Sequence, residues 1–342
     1  MHSDADRGKT AAGALMARML ALLLLVPALG GCVLVVSPFD WWSDDNALTE
    51  TVIRGSGDDK VLMLSITGFI SDQPSEQLFG LLREESTLTR VIAELRKAAH
   101  DSAVKALVLR IDSPGGGVTA SDAIYHRIST FAAEQQIPVV ASLGGLAASG
   151  GYYVACAADV ILAQPTTVTG SIGVILVGVN LSGLMDKLGI EGETFKSGAH
   201  KDLLSPLRGA TPEERRIVEA IIHHLFRRFV SVVRENRPTL EREKLAMITD
   251  GRVFTAADAL DLGLVDDIGR IQAAIDAAKR LAGLKQARVV VYRRPGESGE
   301  TLFSSASGAA PRAAMEKRPN ALPLDLTALT SPLFLYLWRP GL

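Results

Sequence analysis

The chain has 342 residues, with 36 Lys and Arg against 38 Asp and Glu, a net charge of −2. That balance lacks the basic surplus nucleic-acid binding needs, and 47% hydrophobic against 22% charged residues excludes a disordered or collagen-like polypeptide. Only two cysteines, Cys32 and Cys156, are present, which excludes a disulfide framework and a cysteine-rich zinc site. Mean hydropathy is nevertheless positive, although aromatics make up 5% and glycines number 31.

In chain order, the first feature is a charge-free run from Met19 to Phe39, preceded by Arg7, Lys9 and Arg18. A basic region before an apolar one is the pattern of an export signal. The run is short for a spanning helix, which needs about 20 apolar residues, and Pro27 and Gly30-Gly31 interrupt it. Leu29-Gly-Gly-Cys32 resembles a bacterial lipobox, which makes Cys32 a candidate lipidation site. An uncut anchor and ordinary cleavage are the other readings, and all three put the bulk of the chain outside the cytoplasm. Residues 1–39 are therefore expected to be a signal or anchor segment, and 40–60, with Trp41, Trp42 and a Gly-Ser-Gly stretch, a polar spacer.

Residues 61–292 alternate short apolar runs with amphipathic segments, the pattern of a single α/β domain. Strands are expected at 61–66, 105–111, 138–143 and 160–162, and helices at 88–101 and 119–133. Thr211-Pro-Glu-Glu214 reads as a capping box with proline in the first turn, opening a helix to about Asn236. Residues 293–320, rich in Gly, Ser, Ala and Pro, read as a flexible linker. The apolar tail 321–342, broken by Pro323 and Pro332, is expected to dock on the body or on a neighbouring subunit.

Three glycine-rich stretches carry the candidate chemistry. Asp112-Ser-Pro-Gly-Gly-Gly117, between a strand and a helix, could turn backbone N–H groups toward an oxyanion; taken alone, it could equally be a tight turn. It is not a P-loop, because no Lys-Ser or Lys-Thr follows. Gly144-Gly-Leu-Ala-Ala-Ser-Gly-Gly151 sets Ser149 at a strand-to-helix turn, one residue away from the G-x-S-x-G elbow, with a helix N-cap as the plainer reading. Lys196-Ser-Gly-Ala-His-Lys-Asp202 offers His200 or Lys201 as the base; a lysine serves only if burial makes it neutral near pH 7.

Together, Val61-Leu-Met-Leu-Ser-Ile66, Leu109-Arg-Ile-Asp-Ser-Pro-Gly-Gly116, Ala147-Ala-Ser-Gly-Gly-Tyr-Tyr153, Thr169-Gly-Ser-Ile-Gly-Val174, Ser197-Gly-Ala-His-Lys-Asp202, Gly251-Arg-Val-Phe-Thr255 and Leu262-Gly-Leu-Val-Asp266 are similar to the signal peptide peptidase A family, short form (peptidase family S49). The resemblance covers residues 61–290. It implies a crotonase/ClpP-like β-β-α superhelix and a membrane-associated serine endopeptidase with a Ser–Lys dyad, acting on cleaved signal peptides. It makes Ser149 the nucleophile, Lys201 the general base, Ser171 the serine supporting that base, and Gly116 and Gly150 the oxyanion-hole donors. His200 becomes a bystander, and Tyr152 and Tyr153 packing residues. No cofactor or metal is implied; the partners implied are peptide substrates, a membrane and further copies in a ring, with the catalytic domain on the periplasmic side. Two other readings are a catalytically weak binding or scaffolding relative, which retention of both Ser149 and Lys201 disfavours, and a crotonase-type acyl-CoA enzyme, which would need neither.

Overall fold

The computed structural model describes residues 48–77, 82–238, 240–295, 297 and 333–338. The expected signal or anchor segment, Cys32 and nearly all of the expected linker lie outside them. No described helix is long and apolar enough to cross a membrane.

The described elements run β1 (Thr49–Arg54), β2 (Lys60–Ile70), β3 (Ser75–Gln77), β4 (Leu82–Glu84), α1 (Thr87–Ala99), β5 (Val104–Gly117), α2 (Val118–Gln135), β6 (Val139–Ala148) and α3 (Gly150–Ala155). Then follow β7 (Val160–Ala163), β8 (Val168–Gly170), β9 (Ile175–Leu176), α4 (Ser182–Leu188), α5 (Pro212–Asn236) and α6 (Arg242–Ile248). The last are β10 (Val253–Thr255), α7 (Ala256–Asp261), β11 (Asp267–Ile268), α8 (Ile271–Leu281), β12 (Arg288–Arg293) and β13 (Phe334–Leu337). The fold class is α/β, built on one large sheet ordered β1-β12-β2-β5-β6-β7-β11. From β12 to β11 neighbouring strands are parallel.

Alternation along these strands explains the two layers. Leu62, Leu64 and Ile66 of β2, with Leu107, Leu109 and Ile111 of β5, join the core shared with α1, α2, α3 and α5, which contribute Val91, Ile124, Ile128, Tyr153 and Phe229. Val61, Met63, Ala106 and Val108 face the other way, onto Ile271, Ala274, Ile275 and Ala278 of α8. Small residues on α8 let it lie close against the sheet. Cys156 is buried in the first layer, and burial pushes its thiol up to about 12, so it serves as a small core residue.

Two differences from the sequence reading stand out. Part of the stretch read as a spacer is sheet: β1 pairs antiparallel with β12, giving the open edge of β12 a partner for its N–H and C=O groups. The strands expected at 105–111 and 138–143 run on through their glycines to Gly117 and Ala148. Glycines read as loop punctuation because they weaken an exposed strand, but here neighbouring strands and buried walls hold them extended. The tail is described only at 333–338, where β13 adds to the sheet against β5 and β9.

The capping box is present. Thr211 Oγ1 accepts from Glu214 N at 3.2 Å, and Thr211 N donates to Glu214 Oε2 at 2.8 Å, with Pro212 opening α5. At the far end of α5, buried Arg237 donates from Nη1 to Asp266 Oδ2 at 2.6 Å and from Nη2 to the Ala158 carbonyl at 3.2 Å. The same Asp266 oxygen accepts from Ile161 N at 2.7 Å, so one guanidinium ties the helix to β7 and to the turn before β11. Replacing Arg237 with Ala leaves a buried carbonyl unpaired and is expected to cost about 2–3 kcal/mol. Denaturant unfolding measures this, and a loss below about 0.5 kcal/mol, the range of surface substitutions, would refute it.

Candidate active site

Strand β6 pairs in parallel with β8 through Leu146↔Val168, Ala147↔Thr169 and Ala148↔Gly170. The next residue on each strand is a serine, Ser149 and Ser171, and both adopt φ 51°. Ser149 N donates to the Gly170 carbonyl at 2.7 Å, and Ser149's own carbonyl accepts from Tyr153 N at 2.8 Å. Ser149 thus follows the last residue of β6 directly and is the N-cap of α3. Ser171 N donates to the Arg252 carbonyl at 2.7 Å, which fixes its turn from the β10 side. Both serines are nearly buried, at 1% and 6% exposure.

Positive φ at a residue other than glycine costs of order 1–3 kcal/mol, and the surroundings enforce it. Asp112 Oδ1 accepts from Leu146 N at 3.1 Å, and Thr169 Oγ1 donates to the Ala147 carbonyl at 2.6 Å. Tyr152 Oη donates to the Leu264 carbonyl at 2.8 Å, and Tyr153 Oη donates to Asp122. Both rings are fully buried and anchor α3 directly behind Ser149.

The glycine stretch of β5 closes the third side. Gly115 has φ 101°, and a Cβ there would lie 2.7 Å from Gly150 N; one on Gly150 would lie 3.1 Å from the Gly115 α-carbon. Gly116 packs on Ile70, where a Cβ would be 2.6 Å from the backbone nitrogen. Only glycines permit this approach. Ser113 Oγ donates to the Gly68 carbonyl at 2.6 Å and accepts from Gly115 N at 3.0 Å, pinning the bend. Ser149, Ser171 and Gly150 therefore sit in one corner with Gly115, and Gly116 is the next residue of the same stretch.

Lys201 and His200 are not brought into hydrogen-bond contact with that corner. Both are exposed, in the turn after Lys196-Ser-Gly. Among the described residues the Lys201 ammonium has no hydrogen-bond or ion-pair partner, while His200 Nε2 is 3.7 Å from Glu213 Oε1. The turn itself is braced. Arg208 donates to Asp202 Oδ2 at 2.8 Å and to Glu214 Oε2 at 2.8 Å, and Lys196 Nζ donates to Asp202 Oδ1 at 2.7 Å. The Arg208 and Lys196 hydrogen bonds hold the Asp202 carboxyl well below the usual carboxylate range. Cys32 lies outside the described residues.

Sequence reasoning missed Asp112, Ser113 and Thr169, the side chains that hold the corner open. Asp112 and Ser113 are polar residues directly after the buried apolar stretch of β5, and that was the available signal. It also missed Tyr336, which contacts the corner from the far end of the chain.

The strain gives a test. Ser149→Gly and Ser149→Ala both remove the hydroxyl, but only glycine relaxes the backbone. The glycine variant is expected to be the more stable of the two by about 1 kcal/mol in thermal or denaturant unfolding. The alanine variant proving equally or more stable would show that φ at this position carries no strain.

Comparison with known proteins agrees with this architecture. Residues 132–285 match peptidase family S49, and residues 78–167 match the Clp protease family. A candidate signal peptide peptidase SppA of Enterococcus faecium is 35% identical over 253 residues, covering 74% of this chain and 72% of that protein. A candidate protease of Synechocystis sp. is 42% identical over 200 residues, 58% of this chain and 71% of that protein. Protease 4 of Salmonella typhi is 35% identical over 201 residues, 59% of this chain but 32% of its own length. With seven-tenths of two such relatives matched, the chain belongs to peptidase family S49, the serine proteases of the signal peptide peptidase A type.

Proposed function

We propose that this protein is a membrane-associated endopeptidase in which Ser149 attacks the scissile carbonyl and Lys201 is the general base. The observation carrying this reading is the corner itself, where a nearly buried serine is held at positive φ against backbone that only glycine allows. Lys201 takes the Ser149 proton, and N–H groups at Gly116 and Gly150 hold the oxyanion, each donor contributing about 3 kcal/mol to transition-state stabilisation. Protonated Lys201 then donates to the leaving amine, and water completes deacylation. Ser171, next to Ser149 across the β6–β8 ladder, orients the lysine. The substrates are apolar peptides released in or near a membrane, cleaved signal peptides among them. The N-terminal segment holds the catalytic domain to the membrane on its periplasmic side.

A lysine base must leave water to become neutral near pH 7, and in the single chain Lys201 is exposed. A neighbouring copy supplies the missing burial. Supporting this, Leu184, Leu188, Ile190 and Phe195, on the stretch leading to Lys201, are all exposed, Phe195 by 88%. An apolar array of that kind is buried by assembly, so we propose that Lys201 of one copy serves Ser149 of the next, around a closed ring.

Ser149→Ala and Lys201→Ala should each lower kcat by about a thousandfold or more on an apolar reporter peptide, while His200→Ala stays within about twofold. Wild-type activity should climb from neutral into the alkaline range. Mixing the two inactive variants should restore activity, because one supplies the lysine and the other the serine. Loss with His200→Ala and not with Lys201→Ala would replace the dyad by a Ser–His pair. No recovery on mixing would confine the dyad to one copy.

A further inference from the structure

Where α5 ends and the chain turns into α6, Arg234, Arg237, Pro238, Leu240 and Leu245 line a cavity of about 170 Å³. None of the residues that build the serine corner lines it. Arg234 and Arg237 are three residues apart at the helix end, so their side chains lie on neighbouring positions of one face.

The two arginines differ in what they have left to offer. The Arg237 side chain is 4% exposed. Its Nη1 and Nη2 are committed to Asp266 and to the Ala158 carbonyl, but the buried Nε–H has no acceptor among the described residues. A buried donor left in that condition is costly, and an oxygen ligand relieves it. Arg234 is exposed and has no hydrogen-bond or ion-pair partner among the described residues. The carboxylates close by are engaged elsewhere. Asp266 is held by Arg237, Glu241 is 3.1 Å from Lys244, and the charge of Glu235 acts on Arg228.

Charge and shape then limit what fits. Asp266 offsets one of the two guanidiniums, which leaves the charge of Arg234. The partial negative charge at the end of α5, about half a unit, does not cancel it. A single negative charge is matched, and a doubly charged phosphate is not. Carboxylate oxygens suit guanidinium N–H donors. Behind them, half-buried Leu240 and Leu245 pack on the core and give the cavity an apolar wall. An apolar cavity of about 150 Å³ accepts a six-atom ring in another protein, so this one suits a ligand of similar size.

We propose that this cavity binds a monocarboxylate on a short, branched apolar chain, with the carboxylate on Arg234 and the Arg237 Nε–H and the chain against Leu240 and Leu245. The C-terminus of an apolar peptide and a short fatty acid both present this chemistry. The site goes beyond the catalytic reading and needs no part of it.

The test is calorimetric titration of the full chain with 4-methylpentanoate, with N-acetyl-leucine, and with the neutral analogue 4-methylpentanamide. Saturable binding with a Kd of about 1 mM or tighter is expected for at least one carboxylate, and at least about tenfold weaker binding for the amide. Arg234→Gln changes an exposed side chain and should weaken the carboxylate by about fivefold or more. Arg237→Lys keeps the charge but removes the Nε–H, and should weaken it as well; Arg234→Gln carries the test should Arg237→Lys fail to fold. Either carboxylate binding tighter supports the inference, N-acetyl-leucine pointing to a peptide C-terminus and 4-methylpentanoate to a fatty acid. Amide and carboxylate binding equally, affinity unchanged by Arg234→Gln, or no saturation at about ten times the expected Kd would overturn it. Because binding alone is read, loss of Ser149-dependent hydrolysis would leave this inference standing.

Discussion

The hydrogen bond from Ser149 N–H to the Gly170 carbonyl, at 2.7 Å, holds a serine in the sheet one residue before a helix must begin. Strand β6 stays paired to Ala148 and α3 starts at Gly150, so Ser149 alone makes the reversal, and it does so at positive φ. A relaxed backbone would need a longer turn, which would carry the hydroxyl away from the glycine stretch of β5. The fold supports the strain from every side: Tyr152 and Tyr153 anchor the helix, Thr169 and Asp112 anchor the strand, and Ser113 fixes the bend that brings Gly115 against Gly150. Strain of this kind persists only where surrounding contacts over-determine it.

The same constraint explains why the chain is asymmetric around the corner. The serine side is built wholly from buried strand ends, rigid and complete within one chain. The lysine side is a solvent-exposed turn stiffened by the Arg208, Asp202 and Glu214 ion pairs and flanked by uncovered apolar residues. A nucleophile benefits from rigid placement, whereas a lysine base needs desolvation that a lone copy does not supply. On the proposed reading, assembly completes the chemistry, and activity is tied to the oligomer. Strand β13 lies against the glycine stretch of β5 at the same place.

Much of this was legible in the sequence, and for specific reasons. Apolar runs such as Val61–Ile66, broken only by Ser65, mark strands buried on both faces, and β2 runs Lys60–Ile70. The Thr211–Glu214 spacing marks a helix start because capping chemistry is local. Ser149's place between an apolar run and a second apolar segment marks a strand-to-helix turn. Its positive φ was not legible, since residue type favours Gly150 for that conformation and only tertiary packing assigns it to the serine. Strand β1 was hidden in a Gly- and Asp-rich region because its pairing depends on β12, more than 200 residues away. Tyr336 was hidden for the same reason: Leu-Tyr-Leu has no helical or strand periodicity to speak of, and its significance comes from an aromatic pocket assembled by Tyr153 and Phe229.

The central claim is that the strained serine at the end of β6 is the reactive group. The most direct measurement is to treat the full chain with a fluorophosphonate, digest it, and locate the adduct by mass spectrometry. A single adduct on the peptide carrying Ser149, absent when the protein is first unfolded, is the predicted result. An adduct on Ser171 or elsewhere, or none while peptide hydrolysis proceeds, would contradict it.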